Sequence, residues 1–165
     1  MTTEDSAPED CATIEIREDD LTGPEIAQLL SDHLTFVFEQ SPPESCHALD
    51  LSGLKQPGVT FWSAWIGAAL AGCGALMELD AETGEIKSMR TDEGHRRRGV
   101  GGRMLDHLLA VARARGYRRV YLETGSQPGF APARALYESR GFTECGAYGD
   151  YSADPNSCFF TLALD

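Results

Sequence analysis

Apolar residues along the chain switch between a period of two and a period near 3.6, and the switches mark the elements. Ala12 to Arg17, A-T-I-E-I-R, alternates as a strand does. Glu18-Asp19-Asp20 breaks it. Thr22-Gly23-Pro24 follows, and Pro24 with Glu25 in the first turn opens a helix expected to reach about Ser31 or His33. Residues 34–50 hold Phe36, Val37 and Phe38 before Ser41-Pro42-Pro43 stops any helix. Val59 to Ile66, V-T-F-W-S-A-W-I, is rich in β-branched and aromatic residues and predicts a strand. Gly67 to Ala71 reads as a hairpin turn, Gly72 to Leu79 as a strand, Asp80 to Gly84 as a second turn, and Glu85 to Thr91 as a third strand of the meander. Leu105, Leu108, Leu109 and Ala112 then recur at helical spacing, with Gly116 placed to end the helix. Tyr117 to Glu123 is a strand. Pro132 to Arg140 is a helix with Ala133, Leu136 and Tyr137 near one face. Phe142 opens another strand, and Cys158 to Leu164 is the last. With a loop-and-helix segment before Val59, the order is β-α-α-β-β-β-α-β-α-β-β. It predicts an α/β fold with a mixed, twisted sheet flanked by helices.

Length makes one domain the expectation, spanning residues 12–165 behind an acidic, disordered tail at 1–11. No run of about 18 apolar residues predicts a membrane helix. MTTEDSAPED is polar and acidic, unlike a signal or transit peptide. Five cysteines (Cys11, Cys46, Cys73, Cys145, Cys158) are scattered, with no C-x-x-C pair and no metal-ligand set. The expectation is a cytoplasmic protein with reduced thiols, no metal and no membrane partner.

Charge adds one feature. The net charge is −12, yet residues 90–119 hold nine arginines against Asp92, Glu93 and Asp106, which makes that segment +6 and the remainder −18. A basic island in an acidic chain suits a small polyanion better than nucleic acid. Arg113, Arg115, Arg118 and Arg119 fall at a helix end where cations suit the dipole. Arg96, Arg97 and Arg98 fall at the other end, beside Gly99-Val100-Gly101-Gly102. A glycine turn that opens a helix offers free N–H groups and partial positive charge to phosphate. The dinucleotide pattern G-x-G-x-x-G fails here, because counting from Gly99 puts Met104 at the third glycine, and no Gly-Lys-Ser/Thr tripeptide completes a P-loop.

R/Q-x-x-G-x-G/A does fit, as Arg96, Gly99 and Gly101. About 40 residues later comes P-A-R-A-L-Y-E-S-R-G-F at 132–142. Both resemble signatures of the GNAT (GCN5-related) N-acetyltransferase superfamily, and the resemblance covers about residues 59–164. The ending, G-A-Y-G-D-Y-S-A-D-P-N-S, looks like that of small members whose substrates are poorly defined. The resemblance implies the acyl-CoA N-acyltransferase (GNAT) fold, with acetyl-CoA between the fourth and fifth strands. Its pyrophosphate would meet the turn of Arg96, Arg97, Arg98, Gly99, Val100, Gly101 and Gly102. Its pantetheine arm would pair with the backbone at Met89 and Thr91. Many members have Asn where this chain has Phe130, so that contact is not carried over.

The implied reaction is direct transfer of acetyl to an amine of a small molecule or peptide. Tyr137 matches the family's acid. Glu85 lies 11 residues before Arg96, the spacing of the glutamate base in histone acetyltransferases of the family. Glu78, Glu123 or an ordered water are alternative bases, and His33 and His47 are further acid–base candidates. The acidic remainder favours a cationic acceptor. A homodimer is compatible with the resemblance. A non-catalytic acyl-CoA-binding or regulatory domain of the same fold, and a nucleotide-binding domain, are the competing readings.

Overall fold

The computed structural model describes residues 13–164; the expected acidic tail and Ala12 lie outside them. Seven strands form one mixed sheet in the order β1-β2-β3-β4-β5-β7-β6. They are β1 (Glu15–Glu18), β2 (Val59–Ile66), β3 (Ala69–Asp80), β4 (Thr83–Thr91), β5 (Arg119–Gly125), β6 (Thr143–Cys145) and β7 (Ser157–Ala163). Four helices accompany them: α1 (Pro24–Gln40), α2 (Leu51–Leu54), α3 (Val100–Ala114) and α4 (Ala131–Ser139). The expected element order holds throughout.

The largest departure is α1, which runs on to Gln40 instead of ending near His33. Ile26, Leu29, Leu30 and Val37 are its buried face, so the periodicity continues beneath a β-like run of Leu34 to Phe38. Ser41 ends the helix in extended backbone, as Pro42 beyond it requires. The hairpin between β2 and β3 is also tighter than expected. Ile66 pairs with Ala69 across a two-residue turn, with Gly67 at φ 61°.

Two apolar layers cover the sheet. One face packs α3 through Val100, Met104, Leu105, Leu108, Leu109 and Ala112, together with Tyr137 of α4. The other packs Ile26, Leu29 and Leu30 of α1 on Phe61, Cys73 and Ala75. A fully buried leucine of this kind contributes roughly 1.5–3 kcal/mol.

Two irregularities open the sheet. β4 and β5 are parallel, and they pair only from Thr83↔Arg119 to Ile86↔Leu122. β5 turns away to pair with β7 along its whole length, up to Gly125↔Ser157. β4 also carries a bulge. Cys73 faces Arg90 and Ala75 faces Lys87, so three residue steps on β4 oppose two on β3. Ser88, within the bulge, sits at φ 56°, a conformation rare for a residue with a Cβ. Cys73 and Ala75 share the α1 face. The bulge therefore turns both Lys87 and Arg90 toward that face.

Candidate functional site

Where β4 and β5 part, a cavity of about 520 Å³ opens. Its floor is β4 from Glu85 to Thr91 and β5 from Glu123 to Gly125. One wall is the start of α3 with Arg96, Arg97, Gly99, Val100 and Gly101. α4 adds Ala133, Leu136 and Tyr137, and α1 adds His33, Phe36 and Val37. Beyond Ile86, the backbone groups of β4 that would have paired with β5 face the cavity instead. Met89 and Thr91, expected to offer backbone bonds, lie on this unpaired edge.

The α3 wall is a backbone device. Gly99 is the residue before the helix, at φ 82°, and no side chain caps the turn. Glycine adopts that angle without the penalty of roughly 1–2 kcal/mol that a Cβ brings. Arg97 is also left-handed, at φ 67°. The N–H of Arg103 bonds to the carbonyl of Gly99 at 3.0 Å, which leaves the N–H groups of Val100, Gly101 and Gly102 without helical partners. Such a turn cradles an anion. Arg96 and Arg97 line the cavity, whereas Arg98 and Gly102 are not on its wall. The Val100 side chain is buried in the core, so only its backbone faces the turn.

Phe130 stands where many relatives were expected to have Asn, and it contributes a ring. It packs edge-on against Phe36 of α1 at 5.2 Å. A Cβ on Gly125 would collide with this ring, so the glycine permits the packing. Arg134 holds the intervening loop by donating to the carbonyls of Gly125 at 2.6 Å and Gln127 at 3.0 Å.

The candidate acid and bases separate clearly. Tyr137 is buried, packs against Phe142 and Phe160, and lines the cavity. Burial, and next the charge of Glu123, push its phenol up to about 12, so it holds its proton at neutral pH. Glu123 also lines the cavity, and burial raises its carboxyl above the ordinary range against the opposing bond from Ser157 Oγ at 2.8 Å. Glu85 is buried beside it but heavily engaged. Its Oε2 accepts from Tyr151 Oη at 2.6 Å, Tyr148 Oη at 2.8 Å and Lys87 Nζ at 3.3 Å. Burial and then the Glu85 charge raise both tyrosines, which stay protonated donors. Glu78 is exposed on β3, accepts from Tyr117 Oη at 3.1 Å, and is not on the cavity wall. His33 and His47 both line the cavity.

No spacing in the sequence gives Tyr148 and Tyr151 a role. They come from the loop between β6 and β7, which folds back over Glu85. That loop, Tyr121 of β5 and residues of β3 enclose a second cavity of about 800 Å³, which shares His47, Glu85 and Lys87 with the first. Its lining carries Glu44, Asp80, Asp150 and Asp154. Hydrogen bonds accepted from the Glu82 N–H by Asp80 and from the Ser45 hydroxyl by Asp154 hold those two carboxyls below the usual range, so they stay charged. Among the described residues no group of His, Cys, Asp and Glu could hold a metal ion. Cys46, Cys73, Cys145 and Cys158 are free thiols, and no described helix is long and apolar enough to cross a membrane.

The sequence profile of the Acetyltransferase (GNAT) family matches residues 23–142. The chain belongs to this family. The Bacillus subtilis uncharacterized N-acetyltransferase YsnE is 54% identical over 149 residues, covering 90% of this chain and 99% of its own. The IAA acetyltransferase of Azospirillum brasilense is 34% identical, covering 84% and 90%. Among solved structures, a Klebsiella pneumoniae protein assigned to the acyl-CoA N-acyltransferases superposes with a TM-score of 0.76 at 26% identity, covering 93% of this chain and 99% of that one. A GNAT family acetyltransferase of Elizabethkingia anophelis with acetyl-CoA bound gives 0.67 at 20% identity, covering 92% and 98%. The mixed sheet and flanking helices are thus the GNAT fold, and the chain is an acyltransferase of this family.

Proposed function

We propose that the protein transfers an acetyl group from acetyl-CoA directly to an amine. The observation that carries this reading is the parting of β4 from β5 beneath the free amides of α3. Free N–H groups of Val100 and Gly101 with Arg96 and Arg97 suit a pyrophosphate. The unpaired β4 edge from Lys87 to Thr91 suits an arm that carries amides, and Leu136, Ala133 and Phe130 suit its methylenes. The donor set of the cleft therefore fits acetyl-CoA, and its presence in the Elizabethkingia relative supports the same assignment.

Bound acetyl-CoA would supply a thioester carbon open to attack. The chain's own residues manage two protons. An ammonium has no lone pair, so a base must first take one. Glu123 is favoured over Glu85, because its raised affinity for a proton better matches the task and its carboxylate is less occupied. Glu123 passes that first proton to solvent; the new N–C bond then forms as the C–S bond breaks, and the amine's second proton goes to the freed Glu123 carboxylate. Tyr137 gives its proton to the departing sulfur. Burial lifts the Tyr137 phenol, which keeps this donor loaded but also makes it a weaker acid toward the sulfur. Glu85, with Lys87, Tyr148 and Tyr151, forms a fixed polar wall on the acceptor side.

The acidic second cavity supports entry of an acceptor that carries an ammonium group, past Tyr121, Tyr148 and Tyr151, whose faces also favour cations. Residues 12–165 are read as one domain. The cytoplasm, where acetyl-CoA and free thiols coexist, is the proposed location. Release of CoA thiol in the presence of an amine panel is the test. Thiol release that depends on both substrates supports transfer. Acetyl-CoA binding without release for any amine would favour the non-catalytic binding domain.

A further inference from the structure

Three buried polar atoms in the cleft lack a partner among the described residues. They are Nδ1 of His33, Oγ of Ser88 and Nε of Arg90, and all three residues line the same cavity. Folded proteins leave few such atoms unbonded. Arg90 also has no ion pair among the described residues. Its guanidinium lies 5.2 Å from the centre of the Phe36 ring, a contact that brings no carboxylate or carbonyl to its N–H groups. A half-buried guanidinium without a counter-charge is available to an anion that enters the cleft.

We propose that His33, Ser88 and Arg90 form a carboxylate subsite for the acceptor, so that the acceptor is an amine carrying a carboxylate, in the simplest case an amino acid. This inference rests on the acetyl-transfer reading and adds the substrate class. The donor chemistry suits a carboxylate. Arginine presents a planar fork, and the serine hydroxyl gives one more donor. Burial, then the Arg90 charge, hold His33 at about 4, so its ring is neutral at pH 7 and has one N–H to donate.

Position favours the acceptor over a CoA phosphate as the source of the anion. Arg90 lies opposite Cys73, which packs in the layer with α1. Val100, at the start of α3 beside the anion turn, packs in the layer on the other face of the sheet. The β4 bulge then lines up Glu85, Lys87 and Arg90 along the α1 side of the cleft. Glu85 and Glu123 stand at one end and Arg90 with His33 at the other. A zwitterion matches that polarity, with its ammonium toward the carboxylates and its carboxylate toward the guanidinium.

The test is calorimetric titration of the CoA-saturated protein with matched pairs: phenylalanine against phenethylamine, and lysine against cadaverine. At least one carboxylate-bearing member binds about tenfold tighter than its decarboxylated partner, the scale of one charge-assisted hydrogen bond. Arg90→Gln removes that advantage while acetyl-CoA affinity stays within about twofold. Equal or reversed affinities in both pairs, or no binding by any member, overturn the proposal. A preference that survives Arg90→Gln overturns it too, as does weakened acetyl-CoA binding in that variant, which would assign the subsite to CoA. Should Arg90→Gln fail to fold, Arg90→Lys replaces it. That variant keeps the charge without the fork, and the preference is expected to fall by about threefold or more. Failure of the wild-type protein to bind acetyl-CoA would instead sink the acetyl-transfer reading, so the two failures are distinct.

Discussion

On the α3 side the cleft is lined by the backbone turn of Gly99, Val100 and Gly101, with Arg96 and Arg97 beside it. On the α1 side the lining groups are side chains, His33, Ser88 and Arg90, with Glu85 and Glu123 further along. A backbone cradle needs glycine at a left-handed position and tolerates many neighbours, so it serves a ligand common to a whole family. A side-chain wall depends on which residue stands at each position and on how the sheet aims it. It is the natural place for selectivity between acceptors. The contrast predicts that damage on the α3 side acts on acetyl-CoA affinity, while damage on the α1 side acts on turnover or on the acceptor.

The largest effect is expected where both walls meet the chemistry. Glu123→Gln should lower kcat by about a hundredfold, and Tyr137→Phe by at least about tenfold, each with acetyl-CoA affinity nearly unchanged. Burial raises Glu123, so its ionisation falls at higher pH than for a free glutamate. The acid limb of kcat/KM should therefore lie above pH 4.5 and vanish in Glu123→Gln. A limb that persists in Glu123→Gln but is lost in Glu85→Gln would return the base to Glu85.

On the α3 side alone, Arg96→Glu should weaken acetyl-CoA by about tenfold, through a lost cation and a new repulsion, with kcat at saturation little changed. If kcat fell instead, the division between the walls would fail. The α1 side makes a stability prediction. His33 binds its proton less tightly folded than unfolded, at about 4 against 6.5. The unfolded chain gains protons first, so stability falls as pH drops from about 6.5 toward about 4. Between pH 7 and 5 the loss attributable to His33 is about 2 kcal/mol, and chemical denaturation of His33→Gln should lack it. The smallest effect is Tyr151→Phe. It removes one of the hydroxyls on Glu85, with a loss of about 1 kcal/mol in stability and acetyl-CoA affinity intact.

The same contrast explains what the sequence made legible. The α3 turn was visible because Arg96, Gly99 and Gly101 form a short local pattern, with glycine at the left-handed position 99. The strand and helix order was visible because each element buries one face. The α1 wall was obscured for three physical reasons. Leu34 to Phe38 reads as a β-like run, so the half of α1 that carries Phe36 and Val37 went unseen. Arg90 was counted only as charge, because no local pattern announces a bulge at Ser88. Tyr148 and Tyr151 reach Glu85 across more than 60 residues of chain, a contact no local spacing encodes. Spacing singled out Glu85 as a candidate base, but it carries no information about the three donors that occupy its carboxylate.

The most direct test of the account is calorimetric titration of the purified protein with acetyl-CoA, with ATP and NAD as controls, repeated on Arg96→Glu. The account predicts micromolar binding of acetyl-CoA alone, weakened by about tenfold in the variant. Absence of acetyl-CoA binding, or equal binding in wild type and variant, would contradict the placement of the cofactor beneath the α3 turn.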